Sequence, residues 1–372
     1  MSAAREGKGS ARPIALVRRG FSATGGAEKF LSRFAAAAAS AGREVMLVND
    51  RRWPADACGG LPQHTLDARS PWAFARKVAR WREVWGDGLV FSFERLLAAD
   101  CYRAGDGVHA AWLRRRAVYD PWWEAAMRRL LPKQRQLLRL ERHCFSPRDT
   151  GAVIVNSRMV EREIRETFGY PADRIHLVRN GLPEDYASGA PGRGEAREAL
   201  GLSARAFVAA FAGTGWKRKG LRFALAALAE ASLPHAVLAV VGRGNERRHR
   251  APDVVFLGPQ RDVRPLLAAA DVFILPTVYD PFSNASLEAL AMGCPVVTTR
   301  ANGCSEILRE GITGSVAEEP CDVMALAEAL RYWAAEGRAG AARAGCRAAA
   351  AECSLAGNVR RSLEILEASR PA

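Results

Sequence analysis

The chain has 372 residues, of which 49% are hydrophobic and 25% charged, which is the composition of an ordinary globular protein rather than a disordered or fibrous one. A formal net charge of +14 favours partners that carry phosphate, such as nucleotides, anionic lipid or nucleic acid. Eight scattered cysteines form no CxxC pair and no zinc-ligand spacing, so we expect free thiols in a reducing compartment.

The N-terminal sequence MSAAREGKGSARP has no apolar segment of the kind found in secretory signals. No apolar run elsewhere reaches the length of a membrane span. We therefore predict a cytoplasmic protein that is free to lie on a membrane surface.

Strand and helix patterns alternate through the first half of the chain. Apolar runs at Ile14–Val17 and Val45–Asn49 predict strands, and a helix from about Gly26 to Ala41 lies between them. Further strands are predicted near Leu89–Phe93 and Val153–Asn156. Strands that alternate with helices are typical of a parallel, doubly wound sheet.

A second α/β series follows residues 182–196, a stretch rich in Gly and Pro that we interpret as a linker. Its predicted strands are Phe207–Phe211, Val237–Val241, Val254–Leu257, Val272–Leu275 and Val296–Thr298. The predicted fold class is therefore α/β, with two doubly wound domains, residues 1–182 and 183–355. Two such domains joined by one linker favour an enzyme with its site in the cleft between them.

One loop between two predicted strands carries the most informative pattern in the chain. Asp280 and Glu288, with seven residues between them, lie in YDPFSNASLEALAMGCPVVTT. The loop follows a strand and leads into a helix, at the end of the strand where open α/β sheets bind ligands. Carboxylates there can accept hydrogen bonds from the hydroxyls of a ribose or a sugar. The alternative is a pair of surface acids, one of them stabilising a helix N-terminus.

Two glycine-containing turns at predicted strand ends suit a phosphate. In RRGFSATGGAEKFL, Gly25 and Gly26 lie before a helix, where backbone N–H groups can approach an anion closely. In FAGTGWKRKGL, Arg218 and Lys219 could neutralise a diphosphate leaving group. The first turn lacks GxGxxG spacing and the second lacks P-loop spacing. A plain helix entry and a solvated basic turn are therefore the alternatives.

The segment CYRAGDGVHAAWLRRR contains two polar residues, Asp106 and His109, that could bind an acceptor hydroxyl. The alternative for His109 is a purely structural role. The residues Trp112–Arg142 hold nine Arg or Lys interleaved with Trp and Tyr. This pattern is typical of an interfacial membrane segment, of a nucleic-acid surface, or of a helix with a solvated basic face. No DxD carboxylate pair is present, so we predict no dedicated metal site.

In this order, the motifs resemble those of the retaining GT-B glycosyltransferases of family 4, and most of all the lipopolysaccharide core glucosyltransferase I group. The resemblance extends from about Ile14 to Ala356. It implies a GT-B fold, two Rossmann-like domains that face a central cleft. It also implies that a C-terminal helix, about residues 356–372, packs back on the acceptor-binding first domain, while the second domain binds a nucleotide sugar.

The resemblance implies a donor site made chiefly by the second domain. The family's paired acids correspond to Asp280, implied to bind the transferred hexose, and Glu288, implied to bind the ribose of the uridine. Asp280 replaces a Glu of the family and is one methylene shorter, which leaves the identity of the hexose open. The remaining residues implied to bind the donor are Gly25, Gly26, Arg218, Lys219, Ser283 and Asn284.

The resemblance also implies catalytic roles for Asp106, His109, Arg218, Lys219 and Asp280. Asp106 aligns with an acidic active-site residue of the core group, and His109 resembles the active-site histidine of many family members. Either residue could be the one that meets the acceptor. No cofactor and no metal are expected.

The implied activity is transfer of a hexose, with retention of configuration, onto a heptose of the lipopolysaccharide inner core. The donor would be UDP-glucose, and the enzyme would lie on the cytoplasmic face of the inner membrane, attached through Trp112–Arg142. The main alternative is a family-4 transferase that acts on an exopolysaccharide or another lipid-linked glycan. A nucleotide-sugar epimerase and a non-catalytic nucleic-acid binder are further alternatives, but the latter would leave Asp280 and Glu288 without a role. We therefore predict no nucleic-acid partner.

Overall fold

The computed structural model describes residues 12–21, 26–51, 53–56 and 59–369. Within these residues the chain forms two parallel β-sheets, one of seven strands and one of six, each with helices on both faces. The prediction of two doubly wound α/β domains is confirmed.

In its described residues, the first domain contains seven strands and six helices. Its strands are β1 (Ile14–Val17), β2 (Val45–Asn49), β3 (Gln63–Thr65), β4 (Leu89–Ser92), β5 (Ala99–Arg103), β6 (Thr150–Val155) and β7 (Ile175–Leu177). Its helices are α1 (Gly26–Ser40), α2 (Pro71–Trp85), α3 (His109–Tyr119), α4 (Trp122–Leu130), α5 (Pro132–Cys144) and α6 (Arg158–Phe168).

The second domain contains six strands, and the chain ends in helices that follow it. The strands are β8 (Phe207–Ala212), β9 (Ala236–Val241), β10 (Val254–Phe256), β11 (Val272–Leu275), β12 (Val296–Thr299) and β13 (Gly314–Ala317). The helices are α7 (Arg193–Ala199), α8 (Trp216–Lys219), α9 (Leu221–Ala231), α10 (Arg264–Ala269), α11 (Asn284–Ala291), α12 (Val323–Ala334), α13 (Arg338–Ala351) and α14 (Leu355–Ala368). Three short 3₁₀ turns span Ala172–Arg174, Glu246–Arg248 and Gly303–Ile307.

The two sheets share one topology. The strand order is β3-β2-β1-β4-β5-β6-β7 in the first domain and β10-β9-β8-β11-β12-β13 in the second, and every pair of neighbours is parallel. Each order reverses direction beside its first strand, β1 or β8. Ligands of open α/β sheets bind at such a reversal, outside the carboxyl ends of the strands.

Several elements differ from the sequence-based prediction. Four strands were missed, β3, β5, β7 and β13. Strand β5 has the sequence ADCYR and all five residues are buried, Asp100 and Arg103 included. Its polar side chains are paired inside the protein, so hydrophobicity could not reveal it. The predicted linker, residues 182–196, is too long at its end because α7 begins at Arg193.

The last helix returns to the first domain. Val359, Leu363 and Leu366 of α14 belong to the same apolar cluster as Ile14 and Phe91. The chain crosses back beside its first crossing, where the amide of Leu355 donates to the carbonyl of Leu182 at 2.8 Å. The two segments that connect the domains therefore lie side by side.

Candidate functional site

A cleft of about 550 Å³ separates the carboxyl ends of the two sheets. Six cations and four carboxylates line it, contributed by both domains. The cations are Arg18, Arg33, Arg95, Arg103, Arg218 and Lys219, and the carboxylates are Glu28, Asp106, Asp280 and Glu288. Its volume is within the range of small-molecule sites, and its polar groups converge from opposite walls.

The second-domain wall centres on a cluster of Lys219, Arg218 and Asp280. Asp280 is 6% exposed, and its Oδ2 accepts hydrogen bonds from Lys219 Nζ and from Arg218 Nη1, the latter at 3.4 Å. Arg218 Nη1 also donates to the carbonyl of Tyr279 at 3.0 Å. Two cations thus lie on one carboxylate at the floor of the cleft.

The turn that carries these two cations depends on a glycine. Helix α8 ends at Lys219, and Gly220 follows in a left-handed conformation with φ of 79°. A Cβ atom at Gly220 would lie 1.8 Å from the carbonyl oxygen of Pro276, which follows β11. Only glycine fits there, and this close approach brings Lys219 to the loop that contains Asp280.

The pKa values of Asp280 and Lys219 both lie below their usual values. Burial alone would raise the pKa of Asp280, but Lys219 and Arg218 outweigh it and hold that pKa below its usual value. Burial lowers the pKa of Lys219, and Asp280 acts against that shift. Asp280 is therefore ionised at neutral pH, with a cation beside it.

Helix α11 carries the remaining predicted donor contacts. Ser283 is its N-cap and is 1% exposed, and its hydroxyl oxygen accepts from the amide of Ser286 at 3.2 Å. Asn284 and Glu288 follow one turn apart on the helix, and both line the cleft. The loop before the helix is fixed because the amide of Asp280 donates to the carbonyl of Ala301 at 2.8 Å.

The first-domain wall pairs Arg18 with Asp106. Arg18 Nη1 donates to Asp106 Oδ2 at 2.9 Å and to the carbonyl of Phe93 at 2.8 Å. Glu28 lies 3.4 Å from the same guanidinium. Burial alone would raise the pKa of Asp106, but Arg18 and Arg95 hold it below its usual value. Asp106 is therefore an ionised acceptor of hydrogen bonds that faces the cluster on the opposite wall.

His109 begins α3 and is held as a neutral ring. Its Nε2 lies 2.6 Å from Gln134 Oε1, and burial together with Arg95 lowers the pKa of His109 to about 4. The carboxylate of Glu141 accepts hydrogen bonds from the amides of His109 and Ala110. This fully buried acid caps α3 and fixes the start of the helix at the cleft.

Tyr279 joins the two walls. Its hydroxyl accepts from the amide of Val108 at 2.9 Å and donates to Glu163 Oε2 at 2.7 Å. Gly107 has φ of 70°, and a Cβ atom there would lie 2.4 Å from this hydroxyl. The residue before Asp280 thus fixes the loop between Asp106 and His109.

A second polar bridge crosses between the domains at the back of the cleft. Arg103 Nη2 donates to Asn180 Oδ1 at 2.6 Å, and Asn180 Nδ2 donates to Asn284 Oδ1 at 2.6 Å. Arg103 is 3% exposed and packs on the ring of Phe30, 4.2 Å from its centroid. The asparagine that ends the first domain is therefore in direct contact with the start of α11.

The cleft brings together seven of the residues predicted from sequence: Asp106, His109, Arg218, Lys219, Asp280, Asn284 and Glu288. Ser283 is adjacent, but its side chain caps the helix instead of lining the cleft. Gly25 lies outside the described residues, and Gly26 is the first residue of α1. The roles assigned to all of these residues stay predictions.

Several residues of the site were not predicted from the sequence. Arg18 immediately follows β1, and a polar residue at the carboxyl end of a predicted strand is a signal that could have identified it. Arg103 was missed together with its strand, β5. Tyr279 and Glu141 carry no sequence signal, because their function depends on contacts with a distant segment.

Within the described residues, no group of three His, Cys, Asp or Glu side chains is arranged to hold a metal ion. The helices in the described part of the chain are all too short or too polar to cross a membrane.

Two family models match the chain, one to each domain. The model described as Glycosyltransferase Family 4 matches residues 24–186, and the model described as Glycosyl transferases group 1 matches residues 206–336. Together the two matches extend over most of both sheets.

Proteins with related sequences include a glycogen synthase and a lipopolysaccharide glucosyltransferase. The chain is 33% identical to glycogen synthase of Mycobacterium tuberculosis over 217 residues, 53% of this chain and 50% of that protein. It is 24% identical over 329 residues to the lipopolysaccharide glucosyltransferase WaaG of Escherichia coli K12, 82% of this chain and 85% of that one. The chain spans about half the length of the first curated relatives that it matches.

The crystal structure of WaaG, a glycosyltransferase involved in lipopolysaccharide biosynthesis, has the same fold. It superimposes with a TM-score of 0.79 at 22% identity, over 95% of this chain and 99% of that one. This likeness confirms the predicted GT-B architecture.

Proposed function

We propose that this chain transfers a hexose from a UDP-sugar to a lipid-linked glycan, because its two domains match the models of Glycosyltransferase Family 4 and Glycosyl transferases group 1. We take the donor as UDP-glucose and the acceptor as a heptose of the lipopolysaccharide inner core. The similarity to WaaG over most of both chains supports this choice of acceptor.

The observation that carries the proposal is the cluster of Lys219, Arg218 and Asp280 opposite Asp106. A diphosphate needs fixed cations, and a sugar needs a carboxylate beside them that accepts hydrogen bonds from its hydroxyls. Both requirements are met on one wall, where Lys219 and Arg218 bond to Asp280. Glu288 lines the same wall, where it can accept hydrogen bonds from a ribose.

The transfer proceeds by attack of the acceptor hydroxyl on the anomeric carbon from the face that the diphosphate leaves. The new bond joins the acceptor oxygen to that carbon, and the bond from that carbon to the diphosphate oxygen breaks. The acceptor proton passes to the leaving diphosphate. Because the attack comes from the face that the diphosphate leaves, the configuration is retained and no protein nucleophile is required. Lys219 and Arg218 stabilise the charge that develops on the diphosphate.

Mass spectrometry of the products tests the proposal directly. The purified protein is incubated with a panel of UDP-sugars and truncated core oligosaccharides linked to lipid A, with and without EDTA. We expect one hexose to be added to one acceptor, with UDP released and no loss of activity in EDTA. A strict metal requirement would contradict the cationic mechanism, and transfer only to another lipid-linked glycan would replace the acceptor.

The surface of α3–α5 suits attachment to an anionic membrane. Six of the nine large hydrophobic side chains that are exposed in the described residues lie on this segment: Val118, Trp122, Trp123, Met127, Leu130 and Leu131. Exposed Arg and Lys residues surround them, Arg114, Lys133 and Arg135 among them. Each cation near an anionic surface contributes about 1 kcal/mol, while Trp122, 81% exposed, can insert at the headgroups.

Flotation with liposomes tests this attachment. We expect the wild-type protein to float with vesicles that contain anionic lipid, and less of it to float at high salt. The variant Trp122→Ser should no longer float with these vesicles. Val84→Ser is the matched control, because Val84 is 82% exposed on α2, outside the segment. Equal recovery with neutral vesicles at low salt would overturn the electrostatic part of the proposal.

A further inference from the structure

A second, smaller cavity of about 160 Å³ lies beside the cleft, between α3 of the first domain and α8 and α9 of the second. Trp112 and Arg218 line both spaces, so the two adjoin. Its volume is less than a third of that of the cleft, which suits a single sugar unit rather than a nucleotide. The donor site described above does not use it.

The cavity carries an excess of positive charge. Arg116, Lys217, Arg218 and Arg222 line it, against the single carboxylate of Asp120. That carboxylate is already paired, at 2.5 Å from Arg116 and 2.9 Å from Lys217. Lys217 Nζ also lies 2.8 Å from Glu124 Oε2, and Arg218 bonds to Asp280. Arg222 takes part in no ion pair among the described residues, and its Nη2 donates to the backbone carbonyl of Tyr119 at 3.2 Å. A ligand that carries an oxyanion would pair with the guanidinium of Arg222.

The other lining side chains suit a sugar ring. Trp112 and Tyr119 give the cavity two aromatic side chains, and aromatic faces pack on the C–H faces of pyranose rings. The ring centroid of Trp112 lies 6.0 Å from that of Tyr279, which precedes Asp280. A sugar in the cavity would therefore be close to the proposed site of transfer.

The position of the cavity relates it to the membrane-facing segment. Asp120 lines the cavity and lies between Val118 and Trp122, which are 74% and 81% exposed. The cavity therefore adjoins the cleft on one side and is lined by a residue of the exposed apolar segment on the other.

We propose that this cavity binds a sugar unit of the acceptor that carries a phosphate or carboxylate group, next to the unit that receives the hexose. The inference rests on the proposed transfer to a lipid-linked glycan and adds the chemical class of the acceptor. Arg222 and Lys217 bind the oxyanion, and Trp112 packs on the ring.

Ligand-observed NMR titration of the full chain, saturated with UDP, tests the cavity without requiring transfer. The probes are glucose 6-phosphate, glucuronate, glucose and inorganic phosphate. We expect glucose 6-phosphate or glucuronate to bind at least tenfold more tightly than glucose and inorganic phosphate. If glucose 6-phosphate binds more tightly than glucuronate, the oxyanion is a phosphate. If glucuronate binds more tightly, it is a carboxylate.

The variants Arg222→Ala and Lys217→Ala should each weaken that binding about tenfold and leave UDP binding unchanged. Arg331→Ala is the matched control, because Arg331 is also partly exposed and also donates to backbone carbonyls, those of Glu230 and Ala231.

Three outcomes overturn different statements. Unchanged affinity for the anionic sugar in both variants, with UDP binding intact, would overturn the cavity assignment. Inorganic phosphate binding as tightly as glucose 6-phosphate would overturn the recognition of the sugar. Failure of the wild-type protein to bind UDP would instead overturn the proposed function.

Discussion

The two walls of the cleft hold their charged groups in different ways. On the second-domain wall, Lys219 and Asp280 are placed by contacts within that domain, the close approach of Gly220 to Pro276 and the hydrogen bond from the amide of Asp280 to the carbonyl of Ala301. On the first-domain wall, the loop that carries Asp106 and His109 is fixed by remote residues. Glu141 of α5 accepts a hydrogen bond from the amide of His109. The hydroxyl of Tyr279, in the second domain, accepts one from the amide of Val108. The second-domain wall is therefore self-supporting, whereas the first-domain wall depends on contact between the domains.

The largest expected effect concerns the self-supporting wall. Lys219→Ala removes one fixed cation from the proposed leaving-group site, and we expect turnover to fall by about 10²–10³, or roughly 3–4 kcal/mol in the barrier. The loss should appear in kcat of the transfer assay, while circular dichroism stays unchanged. The matched control is Lys77→Ala, at an exposed position of α2. Turnover close to that of the wild type would remove Lys219 from the mechanism.

The next effect concerns the dependent wall. Gly107→Ala combines a positive φ with a Cβ atom only 2.4 Å from the Tyr279 hydroxyl. Strain of this kind costs about 1–3 kcal/mol, and we expect the thermal midpoint to fall by several degrees and the KM for acceptor to rise.

Gly86→Ala separates the two causes. Gly86 has φ of 74° but open space where its Cβ atom would lie, so it carries the backbone strain without the clash. If both variants lose the same stability and Gly107→Ala keeps its acceptor KM, the contact with Tyr279 has no part in positioning the loop.

A smaller effect is expected from Tyr279→Phe. The substitution removes the hydroxyl that accepts from Val108 and leaves that buried amide without its partner, which costs about 1–3 kcal/mol. Because the contact joins the walls, KM for the acceptor should rise while binding of UDP, measured by calorimetry, stays unchanged. A loss of UDP binding of equal size would show that Tyr279 supports the second-domain wall instead.

The smallest effect is a dependence of stability on pH at the same contact. Burial raises the pKa of Glu163 to about 7 from an ordinary value of 4.5. Between pH 4.5 and 7, the folded state therefore keeps a proton on Glu163 that the unfolded state has lost. The contribution of Glu163 to stability falls as pH rises through this range.

Glu163→Gln removes the titration while keeping an oxygen that can accept from Tyr279. We expect the thermal midpoint of the wild type, relative to this variant, to be lower at pH 8 than at pH 5. A difference between the two proteins that is constant with pH would contradict the raised pKa.

Some elements of the fold were predicted from the sequence, and others were not. The strand, loop and helix around Asp280 and Glu288 were predicted because a loop that leads into a helix lies between two apolar runs within one short stretch. In the structure the helix begins at Asn284, and Ser283 is its N-cap. Strand β5 was missed because Asp100 pairs with Arg82 at 2.6 Å and Arg103 with Asn180. Pairing between distant segments makes polar residues compatible with burial, and no local pattern records it.

By itself, the sequence determined the two α/β domains and identified the cations and acids of the second-domain wall, Arg218, Lys219, Asp280 and Glu288. These features follow from the alternation of apolar runs with turns and from glycine positions inside short segments. Only the tertiary structure decided that Glu141 caps α3, that the Tyr279 hydroxyl reaches Val108, and that Asn180 joins Arg103 to Asn284. Each of these contacts links segments that are far apart in the chain, and its geometry exists only once both sheets have folded and the domains have met.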